Sequence, residues 1–429
     1  MPEDRSGSER PCRGFWTPRR RTLGCLGLPV LVVLGASIAT WYAGFHDPYP
    51  LLQPRILWER PFSRARSCTD IIHEECVIVA DGEGRVHCLD LRTGDPVWVT
   101  DLGARFAHST LQVGDAGVLA STWDGNIALL DRGSGDARWT YSIEGATAPP
   151  YVWARIADDR VVVRTRTSLV GLDTRNGRQA WAREPEFGLL HVHGDTLIVA
   201  RGVGSGRTEL VGQSVRTGEP LWVYRPTAAF IEVLEVNDPR IWVGVDPGWL
   251  TVLDPKDGHE VLPRLPFWSN ASVVVHWGVV TTIKPGGGAC EACAYSLRDG
   301  REVWAGPRAH AHAETTQAVR GSYYVWNRDG AFLRLDAMSG AVLWSRPSPG
   351  PRGFMIMSTT ERIIESDDAV HVVICDDDRA QHWVYCLDRG TGERRWRMDL
   401  RGHPHFLEDG RMLVSGWDGS LSLLERPSR

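Results

Sequence analysis

Cys290-Glu291-Ala292-Cys293 is a C-x-x-C sequence that follows three glycines, Gly286-Gly287-Gly288. Two cysteines at that spacing can exchange electrons or hold a soft metal. A structural zinc site needs a second such pair, and the chain has none. A local disulfide or two inert thiols is the plainer reading. The other seven cysteines are Cys12, Cys25, Cys68, Cys76, Cys88, Cys375 and Cys386. Cys68 and Cys76 flank a short loop and could pair. Cys375 and Cys386 fall on neighbouring strands and pair only if the register allows. Three H-x-H pairs occur, His191/His193, His310/His312 and His403/His405. On a strand, residues i and i+2 share a face, so each pair could chelate a metal. The three pairs sit at similar phases of a repeat, after its tryptophan; His108 is a further histidine of the same kind. They would line one end or the channel of whatever the repeat builds; scattered polar residues are the simpler alternative. Asp376-Asp377-Asp378 lacks the spaced oxygen ligands of a calcium loop and reads as a solvated turn. No residue receives a catalytic, cofactor-binding or metal-binding role.

The elements that position these residues come from one recurring stretch, clearest in RVHCLDLRTGDPVW, residues 85–98. Alternating apolar residues lead to Leu-Asp, a turn with Gly, and Trp four residues later. The glycines are Gly94, Gly135, Gly177, Gly218, Gly258, Gly300, Gly340 and Gly392. Trp98, Trp139, Trp181, Trp222, Leu262, Trp304, Trp344 and Trp396 follow them, with Leu262 the one exception. Asp at a strand end can cap the turn's own N–H groups, and Gly supplies a positive φ without a Cβ penalty. A second hairpin signal lies upstream at Asp81-Gly82, Asp124-Gly125, Asp329-Gly330 and Asp418-Gly419. The glycines recur every 40–42 residues, except for one interval of 52 before Gly392. Four short antiparallel strands in each such period make a propeller blade. A tryptophan present in nearly every period suits packing of blade on blade better than ligand stacking, because a ligand meets only a few blades.

The pattern Gly-x-Leu-x-x-Leu-Asp-x-x-Thr-Gly-x-x-x-Trp resembles the repeat of pyrroloquinoline-quinone-like (PQQ-like) β-propellers, over residues 56–425. That family includes quinoprotein dehydrogenases and non-enzymatic propellers, such as the scaffold lipoprotein of the outer-membrane assembly machinery. The resemblance implies an all-β propeller of four-stranded PQQ-like blades. The adjacent Cys-Cys pair that quinoprotein alcohol dehydrogenases carry beside the quinone is absent from this sequence.

Eight complete repeats are present. Ile56-Leu57-Trp58-Glu59-Arg60 is an orphan copy of the Trp strand, and residues 412–424 supply strands that no Trp strand follows. The two remnants complement each other and would close the ring with a shared blade, so eight or nine blades are expected. The long interval places an insertion within residues 348–368.

Residues 1–21 are polar, rich in Arg and Pro, and expected to be a disordered cytoplasmic segment. Residues 22–46 contain no Asp, Glu, Lys or Arg and are long enough to span a bilayer. Six arginines precede them, and no Lys or Arg follows until Arg55. The positive-inside rule then predicts a transmembrane anchor with a cytoplasmic N-terminus and a periplasmic or extracellular propeller. A cleaved signal peptide is the rival reading. Residues 47–54 form a spacer and 55–429 the propeller. The net charge of −5 and the pI near 6.3 give no support to nucleic-acid binding.

The expected function is a membrane-tethered, non-enzymatic propeller that binds a protein or an envelope component, without a cofactor. A quinone-dependent dehydrogenase and a small-ligand sensor are the alternatives. The insertion is the first place to look for the contact.

Overall fold

Runs such as CVIVA (Cys76–Ala80), GVLAS (Gly117–Ser121) and RVVVR (Arg160–Arg164) are apolar at nearly every position. Unbroken apolar runs suit strands covered on both faces, and these three strands are buried along most of their length. The computed structural model describes residues 51–425 apart from 63–69, 107–110, 144–152, 166–167, 185–189, 203–207, 227–229, 235–239, 247, 268–272, 277, 287–288, 310–315, 328–329, 350–362, 377–380 and 408. The described chain forms nine antiparallel four-stranded sheets, each in simple meander order. They are the blades of a β-propeller: residues 70–101, 112–142, 153–183, 190–224, 230–266, 274–309, 316–347 and 363–400 for blades 1 to 8.

The ninth blade settles the count. Gly402–Phe406, Met412–Gly416 and Ser420–Leu424 make its first three strands, and Ile56–Pro61 completes it from the other end of the sequence. Trp58 stands opposite Leu423 and Arg60 opposite Leu421. The expected closure is therefore present, and the ring has nine blades. Closing a ring removes the free sheet edges that an open array would leave at its ends.

First strands of neighbouring blades touch, as in blades 1, 2 and 3 and in blades 7 and 8, so the first strand of each blade is innermost. The last strand lies at the rim, where its tryptophan is buried and the flanking residues are exposed. Apolar clusters join each blade to the next around the full ring. Trp58 and Leu413 meet Val77 and Leu89 between blades 9 and 1. Trp396 and Met398 meet Met412 and Val414 between blades 8 and 9.

Blade 5 departs from the pattern where Trp is replaced by Leu262. Its last strand shrinks to Leu265–Pro266, and Leu262, Leu265 and Phe267 fill the joint. Part of the predicted spacer is docked. Leu51 bridges to Arg397 on the outer strand of blade 8, and Leu52 donates its backbone N–H to the Arg397 carbonyl at 2.9 Å. No helix of the described residues is long and apolar enough to cross a membrane. The anchor expected at 22–46 lies outside the described residues, as does most of the insertion.

Candidate functional site

The recurring residues meet at the joint between blades. In blade 1 the Asp90 carboxylate accepts the N–H groups of Arg92 and Thr93 at 2.9 and 2.8 Å. Gly94 closes the turn onto the Asp90 carbonyl with φ +71°. The preceding blade's tryptophan lies over that glycine. A Cβ on Gly94 would stand 2.6 Å from the Trp58 ring, and one on Gly177 would stand 2.7 Å from Trp139. Seven of these indoles also donate their Nε1–H across the joint. Trp58 reaches the Leu91 carbonyl, Trp98 that of Arg132, Trp139 that of Thr174 and Trp181 that of Val215, at 2.8–3.0 Å. Trp222, Trp304 and Trp344 repeat the contact at 2.9 Å with Pro255, Ala337 and Arg389. So the glycine serves twice: it permits the turn and clears space for the neighbour's indole. Trp396 faces blade 9, whose outer strand arrives from the other end of the chain, and packs against His371 and the cluster that contains Leu52.

The turn carboxylates are held ionised. Arg138 and the N–H groups of Ser134 and Gly133 push the Asp131 carboxyl down to about 2. Arg395, then the Thr391 N–H, does the same for Asp388. Backbone donors at the Thr93 and Arg92 N–H groups hold Asp90 below its usual value against partial burial, and Ser339 does so for Asp336. These groups titrate lower folded than unfolded, so their contribution is complete above about pH 4 and is lost as pH falls toward about 2. The melting temperature followed by circular dichroism should therefore drop over that window. An Asp131→Asn/Asp388→Asn variant should drop less steeply; an unchanged slope would remove these turns as the cause.

The residues singled out by their chemistry are dispersed. Cys293 is fully buried on Ala289–Ser296, its Sγ 3.5 Å from the Thr282 carbonyl, and burial pushes the thiol up to about 12. Cys76 is a free thiol, and its side chain meets that of Cys88 on the next strand; Cys68 lies outside the described residues. Cys375 stands opposite His382 while Cys386 stands opposite His371, four positions away along the ladder. That register corrects the conditional pairing of Cys375 with Cys386.

His191 and His193 lie on the innermost strand of blade 4, and His403 and His405 on that of blade 9. Both pairs thus sit at the channel side, in blades too far apart round the ring to share a ligand. His108, His310 and His312 lie outside the described residues, as do Asp377 and Asp378; Asp376 ends the second strand of blade 8.

Several groups escape a reading of local spacing. Glu365 of blade 8 is buried and accepts from Arg334 of blade 7 at 3.1 Å, from Ser322, and from Arg389. Glu209 is buried between Arg201 and Arg225 within blade 4. Asp81 takes contacts from His87 and Arg85, each at 2.9 Å; burial opposes its ionisation, yet these partners hold its carboxyl below the usual range. Asp254, Asp257 and His259 stand close together on the blade 5 turn, where Asp257 accepts from the His259 ring and backbone and Asp254 caps the Lys256 N–H. Trp123 and Trp417 are exposed at equivalent hairpins of blades 2 and 9. Trp417 packs against His403 and His382, at 4.6 and 5.6 Å between ring centres.

Comparison with known proteins agrees with this geometry. The family model described as outer membrane protein assembly factor BamB matches residues 55–187 and 183–319. No curated protein matches the chain. Among solved structures, BamB from Moraxella catarrhalis is 15% identical, with a TM-score of 0.46 over 87% of this chain and 100% of that one. The designed protein Ika8 is 15% identical, with a TM-score of 0.49 over 75% and 98%. The quinohemoprotein alcohol dehydrogenase of Comamonas testosteroni is 13% identical, with a TM-score of 0.46 over 89% and 80%. The model match spans more than half of the sequence, and the chain belongs to the PQQ-like β-propeller family that this BamB model describes.

Proposed function

We propose that this propeller is a non-enzymatic module, tethered to the membrane by residues 22–46, that holds another protein or an envelope component outside the cytoplasm. The observation that carries the reading is the use made of the recurring residues. Where a period carries them, Asp, Gly and Trp are engaged in capping a turn, clearing a neighbour's ring and bonding across the joint. Membership in a family whose model is described as an outer-membrane assembly factor supports a protein partner. A rigid ring presents two broad faces of loops, and a tether raises the local concentration of any partner on the same membrane.

The test is to crosslink the full-length chain in its native membranes, purify it and identify what accompanies it. A stoichiometric envelope protein is expected. The same preparation is then incubated with pyrroloquinoline quinone and calcium. Quinone retention with alcohol- or sugar-dependent dye reduction, and no partner, would overturn the reading in favour of a dehydrogenase.

A further inference from the structure

Two thiols meet on one face of blade 1. Cys76 opens the second strand, Cys76–Ala80, and Cys88 lies on the third, Arg85–Asp90. The register pairs Cys76 with Asp90 and Ile78 with Cys88, so the two cysteines are diagonal neighbours on the same face of the sheet. Both belong to the apolar cluster that joins blades 1 and 2, and their side chains touch. Directly across from Cys88 stands Trp98, the tryptophan of that joint. Cys88 is 1% exposed, while Cys76 is half-buried and reaches solvent.

A contact between thiols is longer than an S–S bond of about 2.05 Å, so bonding requires one of the two to approach the other. Cys76 is placed to do so. It is the first residue of its strand, beside the two-residue turn Glu74-Glu75, whereas Cys88 lies in the interior of its own. Cys76 is also the sulfur that an oxidant can reach. Burial, and then the neighbouring Cys76, push the Cys88 thiol up to about 12, so Cys88 does not attack first. The Cys76 thiolate attacks a small-molecule disulfide such as oxidised glutathione, forming a mixed disulfide and displacing one glutathione. Cys88 then attacks the Cys76 sulfur and displaces the second. The proton of each cysteine ends on the glutathione it displaces. Two protein thiols are thereby oxidised to one disulfide, and the glutathione disulfide is reduced to two thiols.

We propose that Cys76 and Cys88 are a redox pair that closes as a disulfide between the second and third strands of blade 1, clamping the blade that receives Trp58 at the ring closure. The reading of the propeller as lying outside the cytoplasm supplies oxidising surroundings, but the test does not depend on it. Full-length protein carrying Cys68→Ser, which removes the nearest other cysteine in the sequence, is purified reduced and incubated with oxidised glutathione. It is then unfolded, alkylated with iodoacetamide, digested with trypsin and mapped by mass spectrometry without reduction. Cleavage after Arg66, Arg85 and Arg92 separates the two cysteines. A linked pair of peptides, 67–85 with 86–92, is expected; it should vanish on reduction and be absent from Cys76→Ala and Cys88→Ala variants. The oxidised protein should also melt at a higher temperature than the reduced one, because the bridge constrains the unfolded chain. Alkylation of both cysteines after oxidation, or glutathione retained on Cys76 with Cys88 alkylated, would overturn the proposal. So would a loop closed between Cys68 and Cys76 in the parent protein, with 86–92 unattached. Each of these outcomes leaves the reading of the propeller as a partner-binding module to its own crosslinking test.

Discussion

Deleting Ile56–Arg60 is expected to open the ring and abolish its cooperative melt near the parent temperature. The segment supplies five of the six residues of blade 9's outer strand, Ile56–Pro61, and pairs with Ser420–Leu424. Its Trp58 fills the joint with blade 1 and donates to the Leu91 carbonyl at 3.0 Å, while Arg60 donates to the Gly94 carbonyl at 2.9 Å. Losing a buried tryptophan alone costs about 3–5 kcal/mol. The deletion also exposes Leu421 and Leu423, both nearly fully buried, and leaves a strand edge unpaired. Set against a typical total stability of about 5–15 kcal/mol, the sum is enough to unfold much of the protein. Thermal denaturation and gel filtration of the truncated chain check this. A variant that melts and elutes like the parent would show that the two ends of the sequence do not share a blade.

What the sequence discloses and what it hides divide along contact range. The Asp-x-x-x-Gly turn, the Asp-Gly hairpins and the tryptophan four residues after the glycine act within about a dozen residues, so their repetition makes the blade legible. The closing blade is legible for a related reason: Ile56–Arg60 is a Trp strand without the rest of its blade, and residues 412–424 are strands without a Trp strand. Whether the blades number eight or nine depends on whether those remnants pair, which only the register of Trp58 with Leu423 decides.

The partners that stay hidden are distant in sequence. Glu365 joins Arg334, 31 positions earlier, across two blades, and nothing in the type of either residue announces the pair. The double role of the glycines is hidden as well. A turn explains each of them, and only the position of the preceding blade's indole shows why a Cβ is excluded. The pairing of Cys375 with Cys386 stays open in the sequence, because spacing along a chain becomes proximity only after the register is fixed. The His pairs fall on the innermost strands in blades 4 and 9, while the packing of His403 against His382 of blade 8 depends on blade-to-blade geometry.

The central claim is that the recurring residues are spent on holding blades together. Trp139 tests it most directly, because it lies in a regular joint and is only 7% exposed. Its ring covers Gly177 and its Nε1–H reaches the Thr174 carbonyl at 2.8 Å. Trp139→Ala removes that packing and leaves the carbonyl without its donor, so a loss of about 3–5 kcal/mol is expected. Urea denaturation of the purified protein, with no ligand added, measures it. The account predicts a large fall in the midpoint at an unchanged slope. A variant of parental stability that had lost the ability to bind a partner would contradict it, and would make the tryptophans a binding platform instead.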